Sequence, residues 1–277
     1  MLAQYIASFL KKYKILIAFA AMSQVLLTYM LFEKPTNFSI LLFVFIATNF
    51  VYLISEEFSF YKNTIVQKKW TVKKIVLLLE IVVLFKLALS FELGQIILIT
   101  LLGIIALSYN YPIKYNKTNT YRVREAKGMK LFVIVLVWSV STVIFPLLDT
   151  KTDQLLLISY FINSALLISI ISLKFDIKDY YKDELEKLKS IPVLIGPLRT
   201  KKLLKKLMLI YFISTISLTY FIVWPIIVVL LLNLCYSYWL IFYFPWEKGE
   251  WYYQVLIDGI LISQAFIVWI GKIYLIL

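Results

Sequence analysis

Apolar residues recur along this chain in runs close to twenty residues long, and most charged residues are confined to the segments between them. The runs lie at about Tyr13–Phe32, Phe38–Ile54, Ile75–Phe91, Leu93–Tyr109, Met129–Leu148, Leu155–Leu173, Leu207–Val223, Ile226–Phe244 and Tyr252–Leu277. An α-helix needs about twenty apolar residues to cross roughly 30 Å of hydrocarbon. The pattern predicts an all-α membrane bundle of nine transmembrane helices, a single membrane domain over residues 1–277. Leu207 to Phe244 is nearly unbroken, and as one helix it would be about 57 Å long, close to two bilayer cores. Trp224-Pro225 in its middle predicts a break and a tight hairpin, because proline lacks a backbone donor and restricts the residue before it.

The charges between the runs assign a direction. With the N-terminus cytoplasmic, the segments on that side carry 25 of the 29 Lys and Arg residues, against Lys34 and Lys151 outside and Lys86 and Lys272 within spans. This asymmetry is the positive-inside pattern. It predicts cytoplasmic loops at about 55–74, 110–128 and 174–206, and an integral protein of a bacterial inner (cytoplasmic) membrane. A net charge of +13 would suit nucleic acid if it formed one surface, but here it lies between apolar runs. It is read as topology signal and contact with anionic membrane lipids, with no nucleic-acid partner.

Composition narrows the chemistry. Hydrophobic residues make up 62% of the chain, well above a soluble domain, and mean hydropathy is +0.85. Histidine is absent and Cys235 is the one cysteine, which excludes histidine-based triads, histidine-ligated zinc or haem, and an internal disulfide. Carboxylates, Lys, Arg, Tyr and Asn are left. Among the polar residues inside runs, five stand out: Glu80, Lys86, Asn163, Asp258 and Gln264. All five are expected to face inward, since a charge at the bilayer centre costs about 2.5–3.5 kcal/mol on insertion scales.

The most informative stretch is Phe175-Asp176-Ile177-Lys178-Asp179-Tyr180-Tyr181-Lys182-Asp183. On a continuous helix, at about 100° per residue, Asp176, Asp179 and Asp183 share one narrow face. Like charges four apart repel, and a hard divalent cation would compensate them. Mg2+ favours one or two carboxylates together with water and phosphate oxygens. The same spacing also suits a solvated helix whose aspartates pair with neighbouring lysines.

Asp176-x-x-Asp179-x-x-x-Asp183 is followed by Lys189-Ser190-Ile191-Pro192-Val193-Leu194-Ile195-Gly196. Together they resemble the second aspartate-rich motif of the UbiA superfamily of intramembrane prenyltransferases. Ser108-Tyr109-Asn110-Tyr111-Pro112-Ile113-Lys114 resembles that family's Tyr-Ser-x-Pro-x-Lys/Arg segment, Trp138 sits where many relatives carry a tryptophan, and the nine-span count is the family's. The first aspartate-rich motif is degraded. In one register it falls on Asn49, Phe50, Leu53 and Glu57, and in another on Tyr52, Leu53 and Ser55.

The resemblance implies Mg2+-dependent transfer of a prenyl group from a prenyl diphosphate to a lipophilic acceptor within the membrane. Asp176, Asp179 and Asp183 would be the catalytic, metal-holding carboxylates, with Glu57 as a further metal ligand. Lys114, Lys117, Arg122, Arg124 and Asn49 would contact diphosphate, and Tyr109, Tyr111, Trp138 and Asp258 would line the prenyl or acceptor pocket. The degraded first motif supports an alternative, a non-catalytic membrane subunit or lipid-binding scaffold with a protein partner in a membrane complex.

Overall fold

A computed structural model of the chain describes residues 14–60, 72–109, 111, 113–114, 120–243, 249 and 252–275. Every apolar run forms helix. The elements are α1 Ile15–Leu31, α2 Phe38–Phe60, α3 Val72–Ala88, α4 Leu93–Ser108, α5 Met129–Ser139, α6 Phe145–Leu147, α7 Gln154–Lys178, α8 Tyr180–Leu185, α9 Ile191–Ile195, α10 Pro197–Ser217, α11 Trp224–Tyr243 and α12 Asp258–Leu275. Between α4 and α5 lie two short antiparallel strands, β1 Ile113–Lys114 and β2 Thr120–Tyr121, with Ile113 opposite Tyr121. Among the described residues six helical segments, starting at Phe38, Met129, Gln154, Pro197, Trp224 and Val255, are long and apolar enough to cross a membrane, while α1 and α4 are shorter apolar helices. The protein is an integral membrane helical bundle.

The helices close into a ring. α12 packs on α1, α1 on α2, α2 on α4, α4 on α5, α5 on α7, α7 on α10, α10 on α11 and α11 on α12, while α3 lies against α2. Buried side-chain amides fasten neighbouring helices. Gln24 donates to the Leu261 carbonyl at 2.9 Å, Gln264 to the Tyr211 hydroxyl at 3.1 Å, Asn163 to Thr215 Oγ1 at 3.0 Å and Asn233 to Ser263 Oγ at 2.9 Å. With no water inside a bilayer, such groups are satisfied only by one another.

Proline explains two of the irregular places. α11 begins at Trp224-Pro225 after a 3-10 turn at Leu218–Tyr220, which is the expected hairpin. Between α5 and α6 the helix widens into a π segment at Val140–Ile144. Pro146 cannot donate to the carbonyl four residues back, at Thr142, and the Thr28 hydroxyl of α1 donates to that carbonyl instead, at 2.8 Å. Thr28→Val should lower unfolding stability in detergent by about 1 kcal/mol, read from denaturant or thermal unfolding.

The segment 174–206 carries the end of α7, all of α8 and α9 and the start of α10. Two expectations need correction. Lys86 is exposed rather than inward-facing, because it lies two residues from the end of α3, where a long side chain can reach the polar boundary. The helix bearing the three aspartates is also interrupted. Asp179, at φ −85° and ψ 7°, ends α7 and starts α8, so Asp176 and Asp183 are buried while Asp179 is half-buried.

Candidate active site

The site is built where α5 begins and α7 ends. α8 stops at a left-handed turn, Lys187 at φ 57°, closed by the Leu188 amide on the Asp183 carbonyl at 2.8 Å. That turn brings the Lys189 carbonyl to the amide of Gly128, 3.1 Å away. Gly128 itself sits at φ 70°, a conformation that favours glycine, and caps the start of α5. The backbone therefore fixes where α5 starts, and Lys130 is its second residue.

Lys130 reaches across to both buried aspartates. Its Nζ lies 2.8 Å from Asp176 Oδ1 and 2.7 Å from Asp183 Oδ2, and both carboxylates are 3% exposed. Asp176 Oδ2 is buried with no hydrogen-bond partner. Around this cluster, Arg122 Nε pairs with Glu125 at 2.6 Å and Arg124 with Glu186 at 2.9 Å, which holds the basic loop against the end of α8. The Arg124 amide also donates to the Tyr109 carbonyl at 3.4 Å.

Tyr109 joins this polar cluster to an apolar cavity of about 390 Å³ between α2, α3, α4 and α5. Its hydroxyl is within electrostatic reach of Lys130, Asp176 and Asp183. Tyr52 and Trp138 also line the cavity. The Trp138 indole N–H lies beside the Tyr52 hydroxyl and can act there only as a donor. The far end is bounded by Phe43 and Phe145, which with Phe91 form an aromatic triad with ring centroids 5.2–5.8 Å apart.

Solved structures share this architecture. A UbiA homolog from Archaeoglobus fulgidus bound to DMAPP and Mg2+ matches with TM-score 0.69 at 13% identity, covering 96% of this chain and 98% of that one. The apo structure of a UbiA homolog from Aeropyrum pernix K1 matches with TM-score 0.63 at 14% identity, covering 94% and 98%. The chain has the UbiA fold. A digeranylgeranylglyceryl phosphate synthase structure also matches, with TM-score 0.58 at 16% identity over 95% and 98% of the two chains. No protein-family model and no curated protein sequence matches the chain. At such identities the likeness carries the UbiA fold, and the chemistry has to be argued from this chain's own residues.

On that fold some expected residues meet and others do not. Asp176 and Asp183 come together, and Tyr109 and Trp138 line the cavity beside them. Asn49 is buried on α2. Tyr111 is 52% exposed and does not line the cavity. Asp258 is buried at the start of α12, with Lys14 and Lys178 supplying the positive charge around it. Arg122 and Arg124 are engaged with Glu125 and Glu186. The Glu57 and Lys114 side chains, and all of Lys117, lie outside the described residues. Lys130 is one of the 25 basic residues assigned to the cytoplasmic side, and no spacing rule distinguishes it from the five others from Lys114 onward.

The donor set bears on a metal. Among the described residues no three acidic, cysteine or histidine groups converge. Asp176 and Asp183 each give one oxygen to Lys130, and α2 offers no carboxylate at Asn49, Tyr52, Leu53 or Ser55. This set fits one divalent cation, at the free oxygen of Asp176 and at Asp179, with water and phosphate completing the shell. Among the described residues, α2 supplies no carboxylate for a second ion.

Proposed function

We propose that this protein transfers a prenyl group from a prenyl diphosphate to a lipophilic acceptor inside the membrane, with Mg2+ as cofactor held at Asp176 and Asp179. The observation that carries the reading is the continuity of the apolar cavity with the charged cluster through Tyr109. A prenyl diphosphate has that same division, with an apolar tail and a highly charged head.

In this reading the tail lies along the cavity wall and the diphosphate meets the basic end of the bundle. The C1–O bond of the prenyl diphosphate breaks, and its electron pair leaves with the diphosphate. The acceptor's nucleophilic atom then bonds to C1 and gives up a proton. Bound Mg2+ would add positive charge at the departing diphosphate. Asp183 and Asp176 hold the Lys130 ammonium in place, and Arg122 and Arg124 supply further positive charge, a role assigned to Lys114 and Lys117 from the sequence. Tyr52, Tyr109 and Trp138 offer π faces to the developing allylic cation, and the apolar wall keeps water from it. Asp258 is assigned to the polar head of the acceptor. The protein is placed in a bacterial inner membrane with its N-terminus cytoplasmic, taking both substrates from surrounding lipid.

Purified protein incubated with Mg2+, labelled prenyl diphosphates and a membrane lipid extract should yield a labelled lipid and free pyrophosphate. A folded preparation that forms neither, with any prenyl length, would sink the proposal. The uncharged side chains described on α2 favour a second reading, a non-catalytic lipid-binding subunit with a protein partner, and the same assay separates the two.

A further inference from the structure

We infer that Lys130 is a positioning residue that supplies, as a fixed ammonium, the charge a divalent cation would otherwise provide between Asp176 and Asp183. The inference rests on reading this end of the bundle as the cation and diphosphate site, and it concerns what neutralises that site at rest. Two buried carboxylates this close cannot both stay ionised without a cation nearby. The ammonium meets that need at 2.8 and 2.7 Å.

The placement is part of the backbone design. Gly128 at φ 70°, tied to the Lys189 carbonyl, sets the first turn of α5 and so the reach of Lys130. The partner helix is consistent with it. Among the described side chains of α2 in the registers where an opposing acidic motif would stand, Asn49, Tyr52, Leu53 and Ser55 add no negative charge. Between Asp176 and Asp183, one fixed charge stands where one mobile ion would. The ammonium occupies one oxygen on each of Asp176 and Asp183, and a divalent ion seeking those oxygens must displace it. With those oxygens taken and no phosphate to complete the shell, Asp176 Oδ2 and Asp179 alone should bind divalent cations weakly in the resting protein, and removing the ammonium should create a tighter site.

The test compares Mn2+ binding by wild type, Lys130→Met, Lys130→Arg and Lys130→Met/Asp176→Asn in detergent, by loss of the free Mn2+ electron paramagnetic resonance signal. Lys130→Met should bind Mn2+ at least about tenfold more tightly than wild type. Its unfolding midpoint should rise with Mn2+ while that of wild type barely moves, because a ligand selective for the folded state stabilises it. Lys130→Arg should behave as wild type, and the double variant should lose the gain. Equal affinity in wild type and Lys130→Met, or a gain that survives Asp176→Asn, overturns the inference. If Lys130→Met does not fold even with Mn2+ present, wild type alone decides: tight, saturable Mn2+ binding overturns the inference, and weak binding supports it. Retention of labelled farnesyl diphosphate by wild type, measured separately with and without Mn2+, tests the underlying reading. No retention in either condition overturns that reading without bearing on the Mn2+ comparison.

Discussion

Asparagine in place of Asp176 should lower prenyl transfer by about 10²–10³-fold, the range seen when one preorganised electrostatic group is removed from an active site. Asp176 makes two contributions. Its Oδ1 holds the Lys130 ammonium, and its Oδ2 is buried without a partner and so open to an incoming cation. Asparagine keeps the size and can keep the bond to Lys130 through its carbonyl. It removes the negative charge and puts amide hydrogens, which repel a cation, where the free oxygen was. The loss should appear in kcat more than in KM, since the tail still fills the cavity. Initial rates with labelled prenyl diphosphate, on protein that elutes from size exclusion like wild type, provide the check. An unchanged rate would remove Asp176 from the chemistry and favour the non-catalytic reading.

Phenylalanine at position 103 should turn the protein toward shorter prenyl chains. Gly103 lines the cavity, and a Cβ built there meets nothing within 4 Å, so a larger side chain enters open space rather than backbone. It sits six residues from Tyr109 along α4, about 9 Å deeper into the bundle. The cavity itself extends from Ser55 to Phe43 along α2, about 18 Å at 1.5 Å per residue. A ring at position 103 would therefore block its deeper half, short of the Phe43, Phe91 and Phe145 floor. The ratio of kcat/KM for dimethylallyl diphosphate to that for geranylgeranyl diphosphate should rise at least about tenfold, in line with steric discrimination in apolar pockets. A ratio that stays put would mean the tail lies elsewhere.

The architecture was legible because a bilayer imposes lengths and polarity that few alternatives satisfy. All nine apolar runs became helix, and Trp224-Pro225 marked its hairpin because proline acts through the backbone, whatever surrounds it. The inward placement of Asn163, Asp258 and Gln264 followed from the cost of exposing them to lipid. Lys86 escaped that rule because distance from the membrane boundary, rather than membership of an apolar run, sets the cost. The site was legible in outline only. Periodicity put the three aspartates on one face, but it assumes an unbroken helix, and the turn at Asp179 depends on backbone angles that spacing does not encode. Lys130 was invisible for a different reason. Its partners lie 46 and 53 positions further along the chain, and only tertiary packing brings them together.

That separation also sets an order of assembly. Lys130 leaves the ribosome 53 residues before Asp183, which at about 5–20 residues per second is roughly 3–10 s. During that interval the ammonium lacks these two carboxylate partners and must wait among lipid headgroups at the start of α5, as long cationic side chains do. Arrival of the end of α7 then draws the lysine inward and joins Gly128 to Lys189 in the same event. Insertion of the sixth apolar run is thus the step at which the fifth is locked in register, and a nascent chain halted before Asp176 would hold α5 in the membrane without fixing its depth.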